Sequence, residues 1–159
     1  MLDAQGGTEI FQTSQASVAL TTGIDRVACM RLTPKGLTRW YASCCDTPIG
    51  NTLGTSAVPF IGVTTLFARE PKNEVLGPIR ARAFPESAKG GRHAVPAGGL
   101  PMAYVMARAL WLMLRWRLRG DHRRSPLFDA ATGRPIAEPR VLTVAEREEL
   151  HRRCSAATS

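Results

Sequence analysis

The sequence predicts an α+β fold, on three observations. Short β-branched runs separated by turn residues fill residues 1–70. A stretch between Pro101 and Gly120 is apolar almost all round, too long for a strand. Between them, Pro71, Pro78, Pro85 and Pro96 break every periodicity. The expected organisation is a β domain over 1–70, an irregular connection over 71–100 and a helical C-terminal extension over 101–159.

The first strands expected are EIFQ (Glu9 to Gln12), SVALT (Ser17 to Thr21) and RVACMRL (Arg26 to Leu32). In the third, alternation puts Val27, Cys29 and Arg31 on one face and Ala28, Met30 and Leu32 on the other. Thr33-Pro34-Lys35-Gly36 places Pro and Gly as tight turns require, so LTRWYAS returns as the partner strand of a hairpin. VPFIGVTTLF, Val58 to Phe67, reads as a buried strand carrying one glycine. VLGPIRARAF is a candidate short strand inside the irregular connection.

Pro101 suits a first helical turn and Gly120 a stop. On a helical wheel Arg108, Arg115 and Arg119 fall within about 40° of one another, with Arg117 facing roughly the other way. Arginines in the last turns also suit the negative end of the helix dipole. One reading packs the apolar face on the domain and leaves the arginines in water. Another lays the helix in an anionic membrane interface, anchored by Trp111 and Trp116; a groove on a protein partner is a third. A last helix begins at Thr143, where Thr143-Val-Ala-Glu146 is a capping box.

The 159 residues carry 21 Lys and Arg against 13 Asp and Glu, a net charge of +8. That surplus favours acidic partners. Nucleic acid is not the expected one, because there is no aromatic platform or known binding motif. MLDAQGGTEIFQ has no basic n-region or apolar core, so it is not a signal peptide. No run reaches the roughly 18–20 apolar residues that span a bilayer. A soluble, cytoplasmic protein with reduced thiols is expected.

Catalytic motifs are few. There is no Gly-rich phosphate loop, HExxH or GxSxG. His93, His122 and His151 lie far apart in surface contexts. Asp121-His122-Arg123-Arg124 reads as a solvated charged turn closing the long helix, with a phosphate site as the alternative. The chemistry-bearing feature is RWYASCCDTPIGNT, Arg39 to Thr52, with Cys44 and Cys45 side by side. Adjacent residues of a strand point to opposite faces. Both thiols can therefore bind one metal only where the backbone turns, and Asp46-Thr47-Pro48 is the expected turn. Cys29, on the hairpin-paired strand, could approach them across the ladder, giving two or three thiolates where a closed zinc site needs four ligands.

The segment MRLTPKGLTRWYASCCDTPIGNT resembles the glutathione-dependent formaldehyde-activating enzyme and centromere protein V-like family. Arg39-Trp40-Tyr41 matches the lead-in of its signature, and Cys45 the second cysteine of its Cys-x-x-Cys run. The first cysteine falls at Ala42 and the glycine at Asp46. KGLTRWYASCCDTPIGNT, Arg123 to Pro135 (RRSPLFDAATGRP) and PRVLT resemble one uncharacterised bacterial subgroup over nearly the whole chain. The resemblance implies a truncated β-tent-like (Mss4-like) antiparallel sheet in residues 1–70, because the family's N-terminal cysteine-rich segment has no counterpart here. It implies zinc as cofactor, absent or weakly held in this chain, with Cys45 in a ligand position and Cys44 substituting for the missing cysteine. It implies carbon–sulfur lyase chemistry on a glutathione adduct, with Arg39 meeting the tripeptide's carboxylates. With ligands missing, the expected form is catalytically incompetent. The alternative is a basic accessory protein that meets an anionic membrane or protein partner through Arg108, Arg115 and Arg119.

Overall fold

The turn at Thr33–Gly36 closes as the sequence predicts, with the Gly36 N–H donating to the Thr33 carbonyl at 3.0 Å. It joins two strands of a six-stranded sheet: β1 (Ile10–Ser14), β2 (Val27–Arg31), β3 (Thr38–Ala42), β4 (Thr47–Thr52), β5 (Phe60–Thr64) and β6 (Arg140–Val141). The computed structural model describes residues 3–68 and 72–156. Its α-helices are α1 (Lys72–Leu76), α2 (Met102–Leu118) and α3 (Val144–Ala156). The strand order is β1-β5-β4-β3-β2-β6. All pairings are antiparallel except β2 with β6, so the sheet is mixed rather than wholly antiparallel. The α+β class stands.

Several expectations are corrected. SVALT is not a strand: Gln15–Ser17 forms a 3-10 turn and the chain then runs unpaired. Gln15 is buried, its amide donating to the carbonyls of Val58 and Phe60 at 3.1 and 3.0 Å, which holds this segment across the end of β5. Val18 and Leu20 still turn toward the core, so the alternation reported burial without a ladder. VLGPIRARAF is not a strand either; α1 takes its first two residues, and Gly77, at φ 75°, followed by Pro78 ends any regular structure. The turn expected at Asp46-Thr47-Pro48 begins three residues earlier, spanning Ser43–Asp46, and TPIGNT is the strand β4. Pro48 is tolerated there because it faces Tyr41 where the β3–β4 register shifts, at an irregularity that frees a strand from donating. Its carbonyl is used, accepting the Thr64 hydroxyl at 3.0 Å.

The core lies on one face of the sheet, where Cys29, Trp40 and Ile61 meet Leu127 and Phe128. Trp40 is 1% exposed. Its indole N–H donates to the Thr52 hydroxyl at 2.8 Å, which removes the cost of burying that donor. The Phe128 ring meets it edge to face at 5.7 Å. Gly50 sits opposite Trp40 in the ladder. A Cβ there would come within 2.7 Å of the Gly62 carbonyl oxygen, so only glycine fits.

Leu127 and Phe128 come from a small hairpin. The Asp129 carboxylate accepts the Thr132 N–H at 2.7 Å, the Gly133 N–H returns to the Asp129 carbonyl, and Phe128 bridges to Pro135. The 101–159 segment, expected as a helical extension, thus supplies both a strand and part of the core.

α2 ends where predicted, with Gly120 at φ 77°. The charged turn that follows is not fully solvated. Asp121 is 3% exposed, accepting from the Ser14 hydroxyl at 2.8 Å and from Arg124 at 2.6 Å. The end of α2 is thereby tied to the end of β1. The capping box at the head of α3 forms as expected: the Thr143 N–H donates to Glu146 at 2.8 Å and the Glu146 N–H to the Thr143 hydroxyl at 3.2 Å. No helix among the described residues is long and apolar enough to cross a membrane.

Two stability predictions follow from these contacts. Leu127→Ala empties part of the core and is expected to cost about 2–5 kcal/mol in urea unfolding. Asp121→Asn weakens two bonds to a buried charge and is expected to cost about 1.5–3 kcal/mol near neutral pH. Burial raises the Asp121 pKa, but the hydrogen bonds from Ser14 and Arg124 and the charges of Arg119 and Arg124 outweigh it and the net shift is downward. A carboxylate depressed in the folded state contributes stability above its unfolded pKa and loses it as pH falls through the folded value. The gap between the parent protein and Asp121→Asn should therefore narrow as pH falls below about 4.

Candidate functional site

Two exposed thiols, Cys44 and Cys45, sit side by side at the turn between β3 and β4. Two bonds to the Arg26 carbonyl hold its first residue, from the Ser43 N–H at 2.8 Å and the Ser43 hydroxyl at 3.0 Å. The Cys45 N–H reaches back to the Ala42 carbonyl at 3.3 Å. Asp46 takes the left-handed conformation, φ 55°, which Asp tolerates better than most residues. On a strand, Cys44 and Cys45 would point apart. In this turn their sulfurs lie 3.7 Å from each other, both exposed to solvent.

The two thiols differ in acidity. The Cys45 sulfur lies 3.0 Å from the Thr47 hydroxyl. Hydrogen bonds from that hydroxyl and from the Thr47 backbone, then from Cys44, hold its pKa below the ordinary thiol value. Cys44 moves the other way, because its hydrogen bond to Cys45 and the developing charge on that sulfur both disfavour losing its proton. The pair therefore shares its first ionisation, with the negative charge centred on Cys45. Thr47 was not singled out by sequence reading; a hydroxyl two residues beyond a cysteine, across a turn, is the signal that would have found it.

Cys29 does not join them, which corrects the expectation that it could. The ladder puts Trp40 opposite Cys29. Its sulfur points into the core and donates to the Ala137 carbonyl at 3.3 Å. Burial, partly offset by Arg31, pushes its pKa up to about 11. Among the described residues no group of three or more His, Cys, Asp and Glu side chains is placed to hold a metal ion. Cys44 and Cys45 are what this chain brings together. Arg39 is exposed on β3 and, by alternation, on the face opposite Trp40, away from the core.

Arg108 and Arg115 lie exposed on α2 and Arg119 exposed at its C-cap, with the Arg115 guanidinium 5.6 Å from the centre of the Trp111 ring. Trp111 is 58% exposed, whereas Trp116 is half-buried on the inner side.

Fold and site together define an α+β protein carrying a vicinal dithiol on a surface turn of its sheet. The chain belongs to a family of unknown function, DUF6151, whose model matches residues 1–140. Neither the curated proteins nor the solved structures provided a match.

The three environments predict an order of thiol reactivity. With iodoacetamide near neutral pH, Cys45 should be alkylated first and Cys29 last, by a margin of about ten-fold or more. Thr47→Val should slow Cys45 and leave Cys29 unchanged. Peptide mass spectrometry over a time course gives both rates; equal labelling of Cys29 and Cys45 would contradict the assignment.

Proposed function

We propose that this protein holds a thiophilic metal ion, zinc foremost, through Cys44 and Cys45. The observation that carries the reading is the 3.7 Å separation of the two sulfurs. Two thiolates bound to one tetrahedral zinc at about 2.3 Å each stand about 3.8 Å apart. The turn is thus already close to the spacing of a metal-bound pair. Both sulfurs are exposed, so a metal ion can reach them. The donors are soft, which suits zinc and related thiophilic ions better than oxygen-seeking ones.

The residues around the pair have distinct parts in this reading. Thr47 steadies negative charge on Cys45, and the left-handed Asp46 lets the chain pass directly from the turn into β4. With two protein ligands, a bound zinc would still have room for water or a small thiol. The resemblance to the glutathione-dependent formaldehyde-activating family supplies a candidate, a glutathione-type tripeptide. Arg39 is the cation which that resemblance assigns to the tripeptide's carboxylates. Bound zinc would supply Lewis acidity and a stabilised thiolate at this turn. The reading is one of reversible metal holding; carbon–sulfur lyase turnover in this chain is not part of it.

The test is a competition titration against a chromogenic zinc chelator. The expected result is about one zinc per chain, lost in both Cys44→Ser and Cys45→Ser and tightened by added glutathione. Cys29→Ala should leave the titration unchanged. Zinc binding that survives both serine substitutions, or no binding at all, would reject the proposal.

A further inference from the structure

Helix α2 buries one stripe and exposes another that is just as apolar. Ala109 is buried and Val105, Leu112, Met113 and Trp116 around it are half-buried, which marks the side that packs on the domain. Leu110, Trp111, Leu114 and Leu118 project from the far side, roughly 100–200° around the helix from Ala109. Their exposures run from 57% at Leu114 to 79% at Leu118. Tyr104, 54% exposed, continues the same stripe toward the N-terminal end. A helix apolar on two opposite sides is covered on both in its working environment.

Charge identifies what covers the outer side. The sequence of α2, MAYVMARALWLMLRWRL, contains no carboxylate. Arg108, Arg115 and Arg119 form one exposed flank beside the stripe, and among the described residues none of them is in a salt bridge. Arg115 lies against the Trp111 ring, so cation and aromatic act at one level. On the opposite flank Arg117 is turned back to the Ala57 carbonyl, which anchors the helix to the domain. A second copy packed through the same stripe would bring like-charged flanks together. An extended negative surface meets the flank and the apolar stripe at once, over a helix about 25 Å long.

We propose that the outer side of α2 docks the protein on an anionic lipid surface, lying parallel to it. Leu110, Leu114 and Leu118 enter the boundary between headgroups and acyl chains, with Trp111 and Tyr104 at headgroup level. Arg108, Arg115 and Arg119 meet the lipid phosphates, their stems lying along the apolar surface. Attachment is peripheral, since no described helix can cross the bilayer.

Co-sedimentation of the intact protein with vesicles tests this. One vesicle set is phosphatidylcholine alone, and the other contains phosphatidylglycerol as well. Binding is expected only to the anionic vesicles, weakening as salt is raised. Each of Arg108→Gln, Arg115→Gln and Arg119→Gln should lower partitioning about five-fold. Leu114→Gln and Leu118→Gln replace exposed side chains, so circular dichroism should be unchanged while binding falls. The vesicle-induced blue shift in tryptophan emission should disappear in Trp111→Phe. Binding to neutral vesicles with equal strength, no binding at low salt, or binding indifferent to the leucine substitutions would overturn the proposal. So would self-association that shields Trp111 at the same concentrations, which would make a second copy the occupant.

Discussion

Burial of Trp40 is the constraint on which the rest of the structure depends. A small sheet with one covered face needs a large apolar group near its centre, and this indole is almost wholly removed from water. Across the ladder from it stands Gly50, held to glycine by β5 on its other side, where a Cβ would collide with the Gly62 carbonyl. The indole N–H requires an acceptor, which the Thr52 hydroxyl provides from the neighbouring strand. Its edge-to-face partner, Phe128, comes from a hairpin 88 positions further on, so the N-terminal sheet and the C-terminal segment share one core. The β domain and its extension are one packing problem.

The position of the dithiol follows from the same strand pairing. Because β3 is held in register on both sides, the turn to β4 has only Ser43–Asp46 in which to reverse the chain. That confinement brings two adjacent side chains onto the same side. It also sets Thr47 beside Cys45, so an exposed thiol acquires hydrogen bonds that favour its ionised form. Cys29, one strand away and on the core face, meets the opposite physics: low polarity and a neutral thiol. Three cysteines of one small region thus separate into an exposed pair and a packing residue.

The attachment of α2 explains how a helix can present an apolar outer side without being drawn into the domain. Its C-terminal end is secured by polar contacts, through the buried Asp121 to Ser14 and through Arg117 to Ala57. Those bonds fix which stripe faces inward and leave the opposite one, with the Arg108, Arg115 and Arg119 flank, facing out. Helix orientation here is decided by its tethers as much as by its hydrophobicity.

Features governed by short-range chemistry were determined by the sequence itself. The Thr33–Gly36 turn, the β2–β3 hairpin, the limits of α2 and the Thr143–Glu146 capping box need only residues a few positions apart, and all were legible. That Cys44 and Cys45 could approach one another only at a turn was legible for the same reason. Tertiary structure decided what depends on distant partners. β4 is a strand because β3 and β5 flank it, although Pro48 and Gly50 argue locally against one. SVALT lacks a strand neighbour and stays unpaired despite its alternation, and β6 joins the sheet through a parallel pairing that no local pattern announces. Asp121 looks solvated in a run of charges and is buried because Ser14, 107 residues earlier, lies beside it. Local hydrogen bonds and turn propensities are written in neighbouring residues, whereas burial is settled by which surfaces remain to be covered once the chain has folded back on itself.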